Sequence, residues 1–388
     1  MEVPHYKGSS THVLELSRAL AALGHKVHVI SRRGRLSPEV EEIGGVTFHR
    51  VYRGILRPVR SRENSPRGDG SSEAGGLSAR AYRLYLETCF AFYVAYLARR
   101  IIDRYDLDMI IERETAFGAG ALASKMSRKP MVLEMIGPSY SQLSMKQSSR
   151  VLAYNELMVP QEAMAKAVFV RAAVNLDMFK PDEGSRHAVR ERLGLHDSVT
   201  VGYIGSFLDW HGVDDLIEAA EIVRTQSGGV RYLMVGPHTS AVIRSVEQHG
   251  LADLVMFVGP VPYDQVPSYI NACDILVAPY NILRTPSRRN KGIGSPLKVL
   301  EYMACGKPSI GSNLPQVSDL VEDGRTGILF QQGDAGSFAR SIMLLAKDAN
   351  QRERLGNSAL AAARSVYSWD ALAEQISSII KEVAASNG

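Results

Sequence analysis

The feature of this sequence that most constrains its fold is an alternation of helix and strand patterns that runs through the chain twice. An amphipathic helix that begins near Ser10 and stops at Gly24 is followed at once by a strand pattern over Lys26 to Ser31. Further helix and strand patterns follow up to Met135, and the alternation restarts at Thr200. Such alternation is typical of a parallel sheet covered by helices, so the sequence predicts an α/β fold of two doubly wound, Rossmann-like units.

The length of the chain also fits two domains. At 388 residues it exceeds one ordinary hydrophobic core, and each half is long enough to bury a core of its own. The segment from Asp177 to His196 lies between the two alternating regions and is interpreted as the linker. We predict an N-terminal domain over 1–180, a second domain over 181–366 and a C-terminal helix over 367–388.

Composition argues against several classes of function. The net charge of +4 is a mild bias and does not indicate a nucleic-acid binder. The three cysteines lie far apart, which argues against a disulfide framework or a zinc site and favours a cytoplasmic location. No run of 18 apolar residues occurs, and the first residues lack the apolar segment of a signal peptide, so no membrane-spanning helix is expected.

Five arginines lie in a segment rich in Ser, Gly and Pro that extends from Arg53 to Gly76. This composition predicts a long surface loop. Its cations could meet an anionic acceptor or the surface of a membrane, and the alternative is a solvated loop without a partner. Peripheral membrane contact of a cytoplasmic protein is therefore one of two open hypotheses.

A glycine-containing turn follows the first strand of the second domain. The strand that begins at Thr200 runs into Gly205 and Ser206, and a loop that bears His211 leads into the next helix. This order places backbone amides and polar side chains at the carboxyl end of a parallel strand, where α/β proteins bind ligands. We interpret the turn as a candidate anion site, and the alternative is a turn that needs glycines for its geometry alone.

A second candidate site lies at the start of the helix predicted over 296–304. Ser295 is expected to cap this helix and Pro296 to occupy its first position, so its free amides and positive dipole end would face an anion such as a diphosphate. Lys298 and Glu301 are three residues apart and share a face of the helix. The carboxylate could accept two hydrogen bonds from ribose hydroxyls; the alternative is a surface ion pair of little energetic weight.

Seven segments form a recognisable pattern along the chain: Gly8 to Val13, Leu20 to Val29, Val174 to Pro181, Val201 to Val213, Phe257 to Gly259, Asp274 to Pro279 and Ser295 to Pro308. Taken in order, these segments resemble the retaining glycosyltransferases of family four, which have the GT-B fold. The resemblance spans nearly the whole chain and is strongest from about Thr200 to Phe330. It implies two Rossmann-like domains that face a central cleft, with a C-terminal helix that crosses back to the first domain.

The resemblance also implies roles for individual residues. Glu301 is expected to bind the donor ribose, the loop after Gly259 to frame the base, and Gly8 to lie near the transferred sugar. Gly8, His211 and Lys298 are the residues expected to take part in catalysis. The donor diphosphate is expected to be surrounded by Gly205, Ser206, His211, Gly294, Ser295, Pro296, Leu297 and Lys298.

Three positions depart from the family pattern. Ile293 stands where the family commonly has an earlier glutamate, Ser206 where it has an arginine, and His211 where it has a lysine. In this interpretation Lys298 is the replacement cation and His211 is a protonatable ligand of the diphosphate. A neutral His211 that donates one hydrogen bond, or that merely shapes the turn, is the alternative.

The start of the chain is a fourth departure. Members of the family begin with a buried strand before the glycine-rich loop, whereas only Met1 to Lys7 precede Gly8 here. We therefore expect the first, central strand of the N-terminal sheet to be missing, with Met1 an internal methionine of a longer protein.

The predicted reaction is transfer of a hexose-type sugar from a nucleotide diphosphate sugar to a hydroxyl acceptor, which is a glycan, a lipid-linked glycan or a small molecule. Retention of configuration is implied by the resemblance. No metal or other cofactor is expected, because the sequence presents no carboxylate pair with ligand spacing. Two alternatives stay open: a sugar-nucleotide epimerase or hydrolase of similar architecture, and a catalytically degenerate nucleotide-binding scaffold.

Overall fold

The computed structural model describes residues 8–33, 37–51, 77–113, 117–135, 140–195, 198–227, 229–285, 293 and 295–386. The chain divides into two compact units, the first mainly residues 9–170 with 373–388 and the second mainly residues 171–372. The boundary predicted from the sequence lay at 180/181. The arginine-rich loop, Gly294 and the residues before Gly8 lie outside the described residues.

The first unit combines helices with two short sheets. Among the described residues, one sheet has the order β1-β3-β2 and the other the order β4-β5-β6-β7. The β2–β3 hairpin is antiparallel and the other pairs are parallel. The elements are α1 Gly8–Ala22, β1 Val27–Arg32, β2 Val40–Ile43, β3 Val46–Val51, α2 Leu77–Tyr105, β4 Ile110–Arg113, α3 Ala119–Ser127, β5 Met131–Glu134, α4 Gln142–Gln147, β6 Arg150–Ala153 and β7 Ala167–Phe169.

Helix α1 packs on the first of these sheets. Val13 and Leu14 of α1 contact a core that contains Val46 and Phe48 of β3, both fully buried. The helix begins two residues before its predicted start and ends ahead of Gly24, whose φ of +89° suits the turn into β1. The missing central strand stays a prediction; the described part of this unit has two separate sheets and no single continuous one.

The second unit is one six-stranded parallel sheet with helices around it. The strand order is β10-β9-β8-β11-β12-β13, so the chain builds outward from β8 in one direction and then from β11 in the other. The strand order therefore reverses between β8 and β11. Open α/β sheets bind their ligands at the carboxyl ends of the strands at such a reversal. The elements are α5 Glu183–Leu193, β8 Val199–Ile204, α6 Val213–Gln226, β9 Val230–Val235, α7 Ser240–Gln248, β10 Val255–Gly259, α8 Val266–Ala272, β11 Ile275–Ala278, α9 Leu297–Ala304, β12 Ser309–Ser312, α10 Pro315–Ser318, β13 Gly327–Phe330, α11 Ala335–Lys347 and α12 Ala349–Val366.

The segment interpreted as a linker, Asp177 to His196, is instead built into the second unit. It contains α5, and the Asp182 side chain caps that helix by accepting a backbone hydrogen bond at 3.0 Å. Arg186 and Arg190 of α5 form ion pairs with Asp274 at 2.6 and 3.2 Å. The linker prediction was wrong. Pro181 precedes α5 and Gly184 lies in its first turn, so the local sequence does not indicate a helix. Asp274, which binds the two arginines of α5, lies far away in sequence.

The last helix, α13 Trp369–Ala385, starts in the second unit and belongs to the first from Ala373 onward. Ser377 contacts His25 at 2.7 Å, and Gln375 donates a hydrogen bond to the carbonyl of Phe169 at 3.1 Å. Glu382 forms an ion pair with Arg150. These contacts join α13 to β6, to β7 and to the turn before β1.

Candidate functional site

Three glycines at the ends of neighbouring strands form the floor of the site. Gly205, Gly236 and Gly259 follow β8, follow β9 and end β10, with φ of +148°, +141° and +82°. The amide of Gly205 donates to Val235 at 2.9 Å, and that of Gly236 donates to Gly259 at 2.8 Å. A Cβ atom on Gly236 would lie 1.9 Å from the carbonyl oxygen of Gly205. Only glycine therefore fits there, and the sequence analysis did not single out Gly236.

Gly205 brings the two predicted segments of the second unit together. A Cβ atom on this residue would lie 2.8 Å from the ammonium nitrogen of Lys298 on α9. Lys298 donates to the hydroxyl of Tyr203 at 3.3 Å, and its Nζ lies 4.4 Å from the ring centroid of Tyr203 and 5.1 Å from that of Tyr280. The turn after β8 and the start of α9 thus form one site, in which the Lys298 ammonium lies against the rings of Tyr203 and Tyr280.

The charges of Lys298 and Glu301 are both disfavoured by their surroundings. Burial lowers the pKa of Lys298 to about 7, and the charge of Glu301 opposes this only in part. Burial also raises the pKa of Glu301 to about 7, against the opposing effects of Tyr263 and Lys298. Tyr263, in the loop after Gly259, donates to Oε1 of Glu301 at 2.9 Å. An anion bound beside Lys298 would favour its ammonium form, so this side chain would gain a full positive charge on binding.

The start of α9 differs from the prediction by one residue. The helix begins at Leu297, Pro296 occupies the cap position without a side-chain hydrogen bond, and the Ser295 carbonyl accepts from the amide of Leu297 at 3.0 Å. The prediction that Ser295 caps the helix and Pro296 is its first residue was therefore wrong. Lys298 still lies in the first turn with Glu301 one turn further, so the spacing argument holds.

His211 is buried and closes the turn that follows β8. Its Nδ1 lies 2.5 Å from the carbonyl oxygen of Ser206 and 3.3 Å from the hydroxyl of Tyr203. Because a carbonyl oxygen only accepts, the short contact requires the proton on Nδ1. The next residue, Gly212, has φ of +69°, and a Cβ atom on it would lie 1.6 Å from the carbonyl oxygen of Pro279.

The remaining predicted residues lie in different places. No described atom outside its two chain neighbours lies within 4 Å of where a Cβ on Gly259 would be, so the described residues leave space beside the end of β10. Ile293 is buried at 6% exposure. Gly8 begins α1 in the N-terminal part of the chain, and Gly294 lies outside the described residues. Tyr203, Tyr263 and Tyr280 were missed because only the fold shows that they surround Lys298 and Glu301.

The first unit carries a polar cluster of its own at the carboxyl ends of its strands. Arg113 ends β4, Glu134 ends β5 and Tyr154 follows β6. Glu134 accepts from Arg113 at 2.9 and 3.0 Å, and Nε2 of His12 from α1 lies 2.6 Å from it. Burial alone would raise the pKa of Glu134, but the charges of His12 and Arg113 outweigh it and lower the pKa to about 2.

Within the described residues, no group of three or more His, Cys, Asp and Glu side chains lies close enough together to hold a metal ion.

Two family models match the chain. The model of glycosyl transferases group 1 matches residues 198–348, which contain the whole Lys298 site. The model of glycosyltransferase family 4 matches residues 6–135. The chain belongs to the family-four, group 1 glycosyltransferases. Sugar transfer from a nucleotide sugar is thus its function.

Relatives of this glycosyltransferase carry out different transfers. D-inositol 3-phosphate glycosyltransferase 2 of Catenulispora acidiphila is 26% identical over 398 residues, which covers 94% of the chain and 88% of the relative. Alpha-D-kanosaminyltransferase of Streptomyces kanamyceticus is 27% identical over 235 residues, covering 60% of the chain and 58% of that relative. The family is thus clear from sequence, while the sugar and the acceptor differ among relatives.

Solved structures confirm the GT-B fold of the glycosyltransferase. HepE from Anabaena, in complex with UDP and glucose, aligns with a TM-score of 0.70 at 17% identity and covers 98% of both chains. Sucrose-phosphate synthase from Thermosynechococcus elongatus aligns with a TM-score of 0.70 at 19% identity, over 98% of this chain and 94% of that one. The predicted α/β fold of two Rossmann-like units is confirmed.

Proposed function

We propose that this glycosyltransferase takes its sugar from a uridine diphosphate hexose bound by the second unit. The observation that carries the proposal is that Lys298 and Glu301 lie one turn apart on α9, with Lys298 beside Gly205 at the carboxyl end of β8. The complex of HepE with UDP and glucose supports uridine as the first nucleotide to test.

Each group of the donor has a counterpart in this proposal. Lys298 and the first amides of α9 meet the diphosphate, together with Gly205, Ser206 and His211. Glu301, oriented by Tyr263, accepts hydrogen bonds from the ribose, and the open edge at Gly259 receives the base.

The reaction breaks the bond between the anomeric carbon and the diphosphate oxygen and joins that carbon to the acceptor oxygen. The diphosphate leaves with an added negative charge, and the proton of the acceptor hydroxyl passes to solvent, so the charges balance. A fixed ammonium and aligned amides stabilise that charge as it develops. We propose retention of configuration and no requirement for a metal. Full activity after treatment with a chelator is the expected result, and loss that Mg²⁺ restores would contradict it.

The donor proposal is tested by calorimetry with UDP, GDP and ADP. UDP should bind most tightly, and Glu301→Ala should weaken it by at least roughly 10- to 100-fold, because a single hydrogen bond to a charged group is worth about 1.5 to 3 kcal/mol. The matched control is Glu247→Ala, an exposed glutamate on α7 of the same unit. Equal loss in both variants, or none in either, would remove Glu301 from the ribose role.

We further propose that the acceptor hydroxyl meets the polar cluster of the first unit. The Nε of Arg113 is buried and has no hydrogen-bond partner among the described residues. The Nη1 of the same guanidinium donates a hydrogen bond to Glu134. An unsatisfied buried donor is costly, and an acceptor oxygen would satisfy it. Arg113→Gln should leave UDP affinity unchanged and slow sugar transfer. A change in UDP affinity with an unchanged transfer rate would contradict this role.

Peripheral membrane contact through α2 is also proposed. This helix exposes Tyr85, Phe92 and Tyr96 within an arc of about 100°, with Arg99 and Arg100 exposed near its end. Aromatic and basic side chains on one surface helix suit an anionic bilayer surface. No described helix is long and apolar enough to cross a membrane.

Co-sedimentation with vesicles tests this contact. The protein should bind vesicles that contain phosphatidylglycerol more strongly than vesicles of phosphatidylcholine alone. The double change Tyr85→Ser and Phe92→Ser should abolish that binding. Unchanged sedimentation of the double variant would show that α2 is not the contact.

A further inference from the structure

A basic pocket lies in the first unit, away from the polar cluster described above. Its volume is about 340 Å³, at the lower end of the range for small-molecule sites. It opens at the turn between α3 and β5, beside the first residues of β5 and β6, whereas Glu134 and Tyr154 lie at the other ends of these strands. Its lining is Ser124, Lys125, Arg128, Lys129, Pro130, Gln147 and Ser149.

The charge of this pocket is unbalanced. Three of the lining residues, Lys125, Arg128 and Lys129, are cations, and no carboxylate lines the pocket. None of the three forms an ion pair with a carboxylate elsewhere in the described part of the chain. Like charges gathered in one concavity repel each other, and a bound anion would relieve that repulsion.

The floor of the pocket is fixed by hydrogen bonds. The hydroxyl of Ser124 donates to the carbonyl of Lys129 at 2.7 Å and accepts from the side-chain amide of Gln147 at 3.1 Å. These bonds tie the end of α3 to the end of α4. The cations therefore project from a braced turn, which limits the entropy lost when a ligand binds.

Arg128 has a backbone conformation that glycine normally supplies. It follows the last residue of α3 with φ of +58° and ψ of +20°, the left-handed position at which helices commonly carry glycine. A residue with a Cβ costs roughly 1 kcal/mol there. Lys125 already provides a cation in the last turn of α3, so the helix dipole does not require a second one at this strained position.

We propose that this pocket binds a phosphate-type anion, a phosphomonoester or diphosphate, with Arg128 as its main contact. Such a group can come from a soluble phosphorylated molecule or from a lipid headgroup. Arg128 presents a fork of donors that matches phosphate oxygens, and Lys125 and Lys129 supply point charges beside it. The site is separate from the donor site, which lies in the second unit.

Arg128→Gly provides a sharp test because glycine is the residue that the local backbone favours. The probe is inorganic diphosphate, titrated by calorimetry into the whole chain carrying Lys298→Met, which removes the cation of the donor site. We expect saturable binding that Arg128→Gly weakens at least about tenfold, with a melting temperature that does not fall. The matched control is Lys347→Gln, an exposed cation in the last turn of α11, which should leave diphosphate binding unchanged.

A second arm distinguishes the two sources of phosphate. Vesicles of phosphatidylcholine with and without phosphatidic acid are sedimented with the protein and with its Arg128→Gly variant. Loss of diphosphate binding in the variant assigns the pocket to a soluble ligand. Loss of phosphatidic acid binding, with no diphosphate binding in either protein, assigns it to a lipid headgroup. The proposal is overturned when Arg128→Gly changes neither.

Discussion

The charge of Lys298 is expected to depend on whether an anion is bound beside it. The aromatic rings and burial around it favour the neutral amine, which lowers its pKa to about 7. A diphosphate beside it would favour the ammonium ion and raise that pKa again. If the donor nucleotide binds beside Lys298 as proposed, we expect its binding to be coupled to uptake of a proton by Lys298 at and above neutral pH.

This coupling predicts that the affinity for UDP falls as pH rises above about 7, by up to about tenfold per pH unit. The sign follows from the charge: below pH 7 the ammonium is already present, and above it the proton must be taken up. Calorimetry from pH 7 to pH 9, in buffers of different ionisation enthalpy, measures both affinity and proton uptake. Lys298→Arg is the control, because a guanidinium stays charged and its profile should be flatter than that of the wild type. A wild-type profile as flat as that of Lys298→Arg would refute the coupling.

His211 is predicted to give a second, separable pH dependence. Its Nδ1 proton is engaged by the carbonyl of Ser206, so a contact with the diphosphate would have to use Nε2, which donates only when the ring is protonated. We expect kcat/KM for the donor to decline with rising pH more steeply in the wild type than in His211→Lys. Steady-state kinetics from pH 6 to pH 9 measures this. Parallel profiles would instead leave His211 as a residue that shapes the turn.

Among the elements, α5 depends most clearly on a distant residue. Asp274 precedes β11, and its carboxylate binds Arg186 and Arg190 of α5 as well as the amide of Thr200 at 2.8 Å. Burial alone would raise the pKa of Asp274, but the hydrogen bond from Thr200 and the two arginines lower it. A lowered folded pKa stabilises the protein above the unfolded value near 3.9, and this stabilisation is lost as pH falls through the folded value.

Asp274→Asn should therefore lower the free energy of unfolding by about 3 kcal/mol at neutral pH, because it leaves two arginines without their carboxylate. Its loss relative to the wild type should shrink in acid, where the wild-type carboxyl also becomes neutral. Urea unfolding at pH 7 and at pH 3 measures both values. Asp253→Asn changes an exposed aspartate of the same unit and is the control. It should leave the free energy of unfolding nearly unchanged. An equal effect at both pH values would show that the charge of Asp274 is unimportant.

The sequence predicted those elements whose signals are local. β8, α6 and α9 were recognised because their strand, glycine and helix patterns lie within one stretch of chain, and Lys298 and Glu301 share a face through helical spacing alone. The sequence did not reveal that Tyr263 binds Glu301, because 38 residues separate them and only the sheet brings the loop after β10 to α9. The same reason hid α5, whose ion pairs reach Asp274.

For the whole molecule, the repeated alternation of helix and strand patterns predicted two units. It did not predict the residues at which each unit begins and ends. The end of the chain is the clearest case. The apolar stripe that begins at Leu372 predicts a helix that must pack on something, but periodicity does not say on what. The structure supplies the partners, since α13 contacts His25 and Arg150 of the first unit.

Removal of α13 should consequently destabilise the first unit more than the second. Burial of an apolar side chain contributes roughly 1.5 to 3 kcal/mol, so the helix supplies on the order of 10 kcal/mol, comparable to the whole stability of an ordinary domain. The side chains lost are Leu372, Ile376, Ile379 and Val383, all at most 7% exposed. A chain that ends at Ser368 should aggregate or should melt in two steps, with the second unit alone retaining a cooperative transition. Calorimetry with and without UDP separates the steps, because UDP should raise only the melting temperature of the second unit.

The Glu382→Gln variant of the intact chain, which loses only an exposed ion pair, should melt within a few degrees of the wild type. A truncated chain that stays soluble, melts in one step and transfers sugar at the wild-type rate would show that α13 is dispensable.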